Sequence, residues 1–321
     1  EGRNNYICAV YRDSAGTGVC FCDISTGECA VTAFDGPDTD EHLYNELGRY
    51  SPREAMLSDG AYSDAGLVEF LTQKLNCRVE NGGEGRFRLD AAKTAAEKQF
   101  PGQTEALPCD AAVQAVGGLL AYLYETQKTD LSHIASLTYY TAGQFMELDL
   151  TARRNLELTE TLRTKEKKGS LLWVLDKTRT AMGHRLIRAW MERPLLSPAA
   201  ISRRLGAVED LVNDAIGREE LIHTLREITD LERLIGRIVY GTAGGRDLVS
   251  LAAGLGKLPQ LRERLAPYPS ALLKSLSGEL DDLEELRDLI GRAIVDDPPF
   301  AVREGGFIRL GYDAEVDRLR D

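Results

Sequence analysis

The chain has 321 residues, 43% of them hydrophobic with 11 prolines, and a formal net charge of −12; that is the length of two domains and the composition of a folded chain, not a disordered one. No apolar run approaches the roughly 20 residues that span a bilayer, and the start lacks the basic-then-apolar layout of a signal peptide, so a cytoplasmic protein is expected. Residues 1–125 carry 10 Lys and Arg against 20 Asp and Glu and should repel DNA, whereas 151–250 carry 18 against 14, interleaved as on solvated helix faces.

From the N-terminus, Asn5–Tyr11, Val19–Ile24 and Cys29–Phe34 read as three strands, because β-formers are punctuated by the turns Ser14-Ala15-Gly16-Thr17-Gly18 and Ser25-Thr26-Gly27-Glu28. A helix is expected over Thr39–Tyr50, where Leu43, Leu47 and Tyr50 recur at helical spacing behind the capping residues Asp38 to Asp40. The pattern then alternates. Glu54–Ser58 suggests a strand, Ala65–Leu75 a helix, Cys77–Glu80 a strand, Asn81–Gly85 a loop, and Asp90–Gln99 a helix with Leu89, Ala92, Ala96 and Phe100 inward and Lys93, Thr94, Glu97 and Lys98 outward. Three antiparallel strands followed by alternating helix and strand resemble a ribonuclease H-like layout.

All six cysteines, Cys8, Cys20, Cys22, Cys29, Cys77 and Cys109, fall in the first 110 residues, which marks a compositional boundary. A zinc site wants CxxC pairs or neighbouring histidines, so reduced, buried thiols of a reducing compartment are expected instead. After that boundary strand signals nearly vanish. Ala111–Gln127 is a long helix expected to join two modules, its Gly117-Gly118 permitting close packing at some cost in propensity. A short strand is expected at Phe145–Leu150. Helices follow over Leu171–Lys177, Ala181–Arg193, Pro198–Asn213, Arg218–Ile228, Leu231–Tyr240, Arg246–Leu258 and Asp281–Val295, with Ser197-Pro198 a good start and Asp296-Asp297-Pro298-Pro299 a good stop. The layout is thus α/β and then all-α, divided at 1–110 and 111–321.

Few residues suggest chemistry. A phosphate-cradling loop needs Gly-x-x-x-x-Gly-Lys-Ser/Thr, and Gly256-Lys257 lacks both the first glycine (Leu251) and the hydroxyl (Leu258). His42, His133, His184 and His223 are dispersed and read as surface or capping residues. Trp173 and Trp190 read as core. The ribonuclease H-like layout invites a metal-dependent nuclease, for which Asp13, Asp23 and Asp110 are available; such catalysis needs carboxylates converging on metal ions about 3.5–4 Å apart. Asp13 and Asp23 sit beside turns, where aspartate serves local hydrogen bonds.

The most telling stretches are Arg153-Arg154-Asn155-Leu156-Glu157-Leu158, Gly169–Asp176 and Met182–Trp190, continued by Asp230–Arg237, Glu304-Gly305-Gly306-Phe307-Ile308-Arg309 and Gly311-Tyr312-Asp313-Ala314-Glu315. In order and spacing they resemble the core of the MutS family of DNA mismatch-repair proteins. The resemblance implies a ribonuclease H-like connector domain followed by a helical core (lever) domain truncated at the lever helix. With Glu1-Gly2-Arg3 before a strand and Arg318–Asp321 inside a helix, the chain reads as an excised middle piece. In such a protein a dimer clamps mismatched duplex DNA, exchanges ADP for ATP with magnesium, and recruits MutL, all near the nucleoid.

This segment would carry no cofactor and no catalytic residue, and would transmit the signal mechanically. By resemblance Arg153, Arg154, Asn155 and Glu157 are helix-junction residues, Gly183 lets two helices approach, and Gly305, Gly306, Tyr312 and Asp313 lead into the lever helix. The outward face Lys93, Thr94, Glu97 and Lys98 is the candidate MutL contact. Phe145-Met146-Glu147 imitates the family's mismatch wedge, but its position beside Arg153 assigns it to the core. A nuclease and a free-standing helical scaffold are the alternatives.

Overall fold

The computed structural model describes residues 4–127 and 130–320. The opening Glu1–Arg3 and the closing Asp321, on which the expectation of an excised piece partly rests, lie outside the described residues. The chain divides into two compact units, Glu1–Lys177 with Arg185–Leu196, and Thr178–His184 with Ser197–Asp321.

The first unit is built on a sheet ordered β5-β4-β1-β2-β3-β6. Strands β1 (Tyr6–Arg12), β2 (Thr17–Asp23) and β3 (Glu28–Phe34) form an antiparallel meander. Helix α1 (Thr39–Tyr50) leads to β4 (Glu54–Leu57), which pairs parallel with β1. After the short helices α2 (Asp59–Tyr62) and α3 (Ala65–Glu69), a π-helical turn at Phe70–Lys74 leads to β5 (Arg78–Asn81), parallel to β4. The strands alternate as period two requires: Ile7, Ala9, Cys20 and Cys22 join one core, while Cys8, Val10, Val19 and Phe21 join the other with Leu43, Leu47 and Leu67. Both faces are therefore covered.

The expected loop at Asn81–Gly85 holds one turn, α4 (Gly83–Arg86), and α5 (Leu89–Gln99) then buries Ala92 and Ala96 as its periodicity predicts. The next helix, α6 (Asp110–Gln127), is not a free joint between modules. It packs on β1, β2, β3 and α5 and is buried on nearly all sides, which is why it is apolar all round. A side chain at Gly18 would run into the Ala111 carbonyl and one at Gly117 into Ala92, so these glycines set how closely α6 approaches. The division expected at residue 110 thus falls at the edge of a helix that completes the sheet's second layer.

Strand β6 is Thr138–Tyr139, parallel to β3. The strand expected at Phe145–Leu150 is reduced to an isolated bridge between Phe145 and Leu195. Asp149 accepts a bond from the Ala152 amide at 2.5 Å and caps α7 (Leu150–Asn155), turning the chain helical before the alternation can pair. Helices α8 (Leu171–Leu175) and α9 (Ala181–Glu192) follow. Trp173 and Trp190 are 48% and 41% exposed and belong to none of the apolar cores, contrary to their expected place. Each helix buries little on that side: Leu172 is the one buried residue of α8, and Arg185 that of α9.

The second unit is helical: α10 (Pro198–Asn213), α11 (Ala215–Arg226), α12 (Leu231–Val239), α13 (Gly245–Leu255), α14 (Leu258–Leu265), α15 (Ala271–Glu279), α16 (Glu284–Ala293) and α17 (Ala314–Arg320). Ser197 caps α10 through the Ala200 amide, with Pro198 in its first turn. The single helix expected over Arg246–Leu258 ends at Leu255, and Pro259 sits in the first turn of α14, where its missing amide costs no helical bond. Gly254, within α13, packs against Thr229 and Leu231. Among the described residues no helix is long and apolar enough to cross a membrane.

Candidate functional site

In the first unit the end of α1 becomes the floor of an aromatic and cationic cluster. Tyr50 stacks on Phe21 at 3.8 Å between centroids and meets the edge of Tyr6 at 4.8 Å. Over the Tyr50 and Tyr140 rings lie two guanidinium groups, Arg193 at 4.5 and 5.0 Å and Arg49 at 4.9 and 5.1 Å. Such contacts contribute about 0.5–2 kcal/mol each, more where water is excluded. Glu46 ties the cluster together, accepting the Tyr140 hydroxyl at 2.6 Å and pairing with Arg49.

Burial works against the charge on Arg193, but Tyr50, Tyr140 and Glu46 outweigh it, so its pKa is raised and it stays cationic. Burial pushes the Tyr140 phenol up as well.

Arg153 completes the junction. It is buried, and its Nη2 donates to the Asn45 carbonyl at 2.9 Å. Gly48 makes room, since a Cβ there would lie 3.2 Å from that guanidinium. Burial, reinforced by the nearby charge of Arg49, lowers the pKa of Arg153. Arg193 also reaches the Phe145 ring at 5.9 Å, and the Met146 amide donates to the Pro194 carbonyl. Phe145 thus lies under a guanidinium, and Glu147 pairs with His42 at 3.0 Å.

The other residues singled out by resemblance are not gathered here. Arg154 and Asn155 are exposed at the end of α7. Glu157 adopts a left-handed backbone, and its carboxylate accepts the Leu162 amide, while its carbonyl and that of Leu158 accept the amides of Leu171 and Leu172, closing a loop. In the second unit Gly183 donates its amide to the Thr180 hydroxyl at 2.9 Å, and a Cβ there would crowd Thr178 and Thr180 within the same turn. The contact it relieves is local. Gly305 and Gly306 both have positive φ and nothing within 4 Å of an added Cβ, so backbone conformation is what requires glycine. Asp313 caps α17 through the Glu315 and Val316 amides, beside a half-exposed Tyr312.

On α5, Lys93, Thr94, Glu97 and Lys98 all face outward. Lys93 pairs with Asp110 at 3.3 Å, and Thr94 bonds the Asp90 carbonyl. Glu97 holds the following turn by accepting from Thr104 and from the Gly102 amide, which lowers its pKa.

The nuclease carboxylates are separately engaged. Asp13 accepts the Ala15 and Gly16 amides, Asp23 the Asn5 and Ser25 amides, and Asp110 pairs with Lys93. Among the described residues no three His, Cys, Asp or Glu side chains are grouped to hold a metal. Five of the six cysteines are buried free thiols and Cys109 is exposed; burial holds the Cys77 thiol up at about 12.

Sequence reasoning missed Glu46, Arg49, Tyr50, Tyr140 and Arg193. They come from three widely separated segments, the end of α1, Tyr140 after β6 and Arg193 after α9, and no local pattern marks such partners.

Two family models match the chain: MutS domain II over residues 5–135 and MutS domain III over residues 151–321. The chain is 40% identical, over its whole length, to the DNA mismatch repair protein MutS of Ruminiclostridium cellulolyticum, covering 37% of that protein. It is 41% identical over 99% of its length to those of Alkaliphilus oremlandii and Brevibacillus brevis, covering 37% and 35% of them. It therefore spans little more than a third of these relatives.

Proposed function

The chain belongs to the MutS family, and on that premise we propose that it is the connector and lever portion of a longer mismatch-repair protein, coupling ATP binding to the grip on mismatched duplex DNA. One observation carries the reading. Arg153 and Arg193, both within the stretch matched by domain III, are seated on Asn45 and Tyr50 of the stretch matched by domain II. Parts of two separately matched segments, packed together within the first unit, can shift together, and coupling travels through such contiguous packed contacts.

The sheet order, with three antiparallel strands followed by two parallel ones, supports reading the connector as ribonuclease H-like. On this reading the segment catalyses nothing itself. ATP, magnesium and the mismatch wedge belong to other parts of the longer protein, a cytoplasmic homodimer that works on the nucleoid, while the chain alone is a monomer. MutL is recruited through the outward α5 face of Lys93, Thr94, Glu97 and Lys98, on which Lys93 is also paired with Asp110. Glu97 serves the turn at Gly102–Thr104.

The test is made in the full-length protein that carries this segment. Arg193→Ala should shrink the ATP-dependent change in affinity for mismatched duplex by about fivefold or more, while nucleotide-free mismatch affinity stays as it was. An unaltered ATP response would sink the coupling role of this junction.

A further inference from the structure

Beside the junction, the first unit opens into a cleft of about 260 Å³. A second recess of about 220 Å³ continues it, sharing Arg49, Ser51, Leu75, Arg188 and Glu192. In a chain whose acidic residues outnumber the basic ones 51 to 39, a concave surface drawn without bias would be lined by carboxylates. This one is lined by Arg49, Lys74, Arg153, Arg154, Lys165 and Arg188 against Glu160 and Glu192. The adjoining recess adds Arg53 and Arg185 and no further acid.

The two carboxylates are already engaged, Glu160 with Lys165 at 3.6 Å and Glu192 with Arg188 at 3.2 Å. Among the described residues, buried Arg153 bonds main-chain carbonyls alone, those of Asn45 and Asp149. The Arg49 side chain is 10% exposed, and its Nε is buried with no hydrogen-bond partner. Arg49 is paired with Glu46 but leaves that Nε unsatisfied, and among the described residues Arg153 has no carboxylate bonded to it; an oxyanion seated between the two guanidinium groups would offset the cost of burying them so. Their planar forks of donors match tetrahedral phosphate, and bonds to it are charge-assisted. Burial lowers the pKa of Arg153 and the neighbouring Arg49 charge adds to this, against the opposing pull of Glu192, Glu46 and Asp149.

We propose that this cleft binds a phosphate-class oxyanion, the phosphates of a nucleotide or of a nucleic-acid strand, held by Arg49 and Arg153 with Lys74 and Arg154 at its exposed rim. The inference rests on the cleft alone and does not depend on the function proposed above. Sodium pyrophosphate titrated calorimetrically into the 321-residue chain at low salt should bind saturably. Lys74→Glu combined with Arg154→Glu, both at exposed positions, should weaken that binding about tenfold or more. Arg153→Gln should weaken it similarly, with a thermal unfolding curve taken alongside to show that the protein is folded.

Competition then identifies the source. Displacement of pyrophosphate by ATP but not by a short single strand assigns the site to nucleotides, and the reverse assigns it to a strand backbone; either supports the proposal. No saturable binding, or binding unchanged by the rim charge reversals, would overturn it. So would a glutamate-rich peptide that displaces pyrophosphate more effectively than ATP and the strand, because the natural occupant would then be an acidic protein segment.

Discussion

The two units solve the same burial problem with different success. In the first, a sheet covered on both faces drives Cys8, Ala9, Val10, Val19, Cys20, Phe21 and Cys22 to 0% exposure. In the second, the most deeply buried apolar side chains, Leu255 and Leu251, retain 2% and 3%, and α10 shows solvent a stripe of Ile201, Leu205, Val208 and Val212, each 37–63% exposed. A strand between two layers buries both of its faces, whereas a helix in a thin array buries one stripe and shows the rest. The lesson is that stability is unevenly placed. The sheet of the first unit is covered on both faces by two large clusters, and the helical unit holds itself together through two small ones, one around Leu234, Leu251 and Ile290 and one around Leu221, Leu265 and Leu273.

The sharpest way to break this comparison is to open a cavity in each unit. Phe100, fully buried beneath α6, should cost about 3–5 kcal/mol when replaced by alanine, and Leu251→Ala in the thinner core about 2–3 kcal/mol. Denaturant unfolding followed by tryptophan fluorescence reports the first unit, since Trp173 and Trp190 both belong to it, while far-UV circular dichroism reports the helices of both. Equal costs would mean that the helical core is as tightly packed as the sheet core.

A smaller effect tests the exposed stripe. Leu205→Ser with Val208→Ser should shift the unfolding free energy of this chain by no more than about 0.5 kcal/mol per site, as at ordinary surface positions. A loss of about 2 kcal/mol or more would show that the face is covered in solution.

The smallest effect is electrostatic. Glu97 has a folded-state pKa below its ordinary value because Thr104 and the Gly102 amide donate to its carboxylate. Its contribution is therefore present above the unfolded pKa of about 4.5 and disappears as pH falls through the lowered folded value. The difference in denaturation midpoint between the wild type and Glu97→Gln should shrink on going from pH 6 to pH 3. A difference that grows on acidification would reverse the assignment.

Much of the architecture was legible in the chain because it is written in local patterns. The β-formers between turns over Asn5–Tyr11 and Val19–Ile24, the helical spacing of Leu43, Leu47 and Tyr50, and the Ser197-Pro198 start each act over a few residues, and the strands Tyr6–Arg12 and Thr17–Asp23 and the helices Thr39–Tyr50 and Pro198–Asn213 overlap those expectations, the second strand reaching back into the expected turn. The motif order from Arg153 to Asp313 marked the family. By contrast, Phe145–Leu150 alternates like a strand, yet the Asp149 cap starts a helix there. Trp173 and Trp190 have apolar helical neighbours and still face solvent, because periodicity says which residues share a face and not whether anything covers it.

By itself, then, the sequence determined the family, the change from mixed to helical structure, and the strands and helices whose hydrophobic period and caps agree. Only the tertiary structure decided that α6 belongs to the sheet, that Arg193 lies over Tyr50 and Tyr140, and that six cations converge on one cleft in an acidic chain. The reason is physical. Secondary structure is selected by interactions within a turn or along a strand, whereas the pairing of a guanidinium with a ring or a carbonyl many residues away depends on how those elements pack.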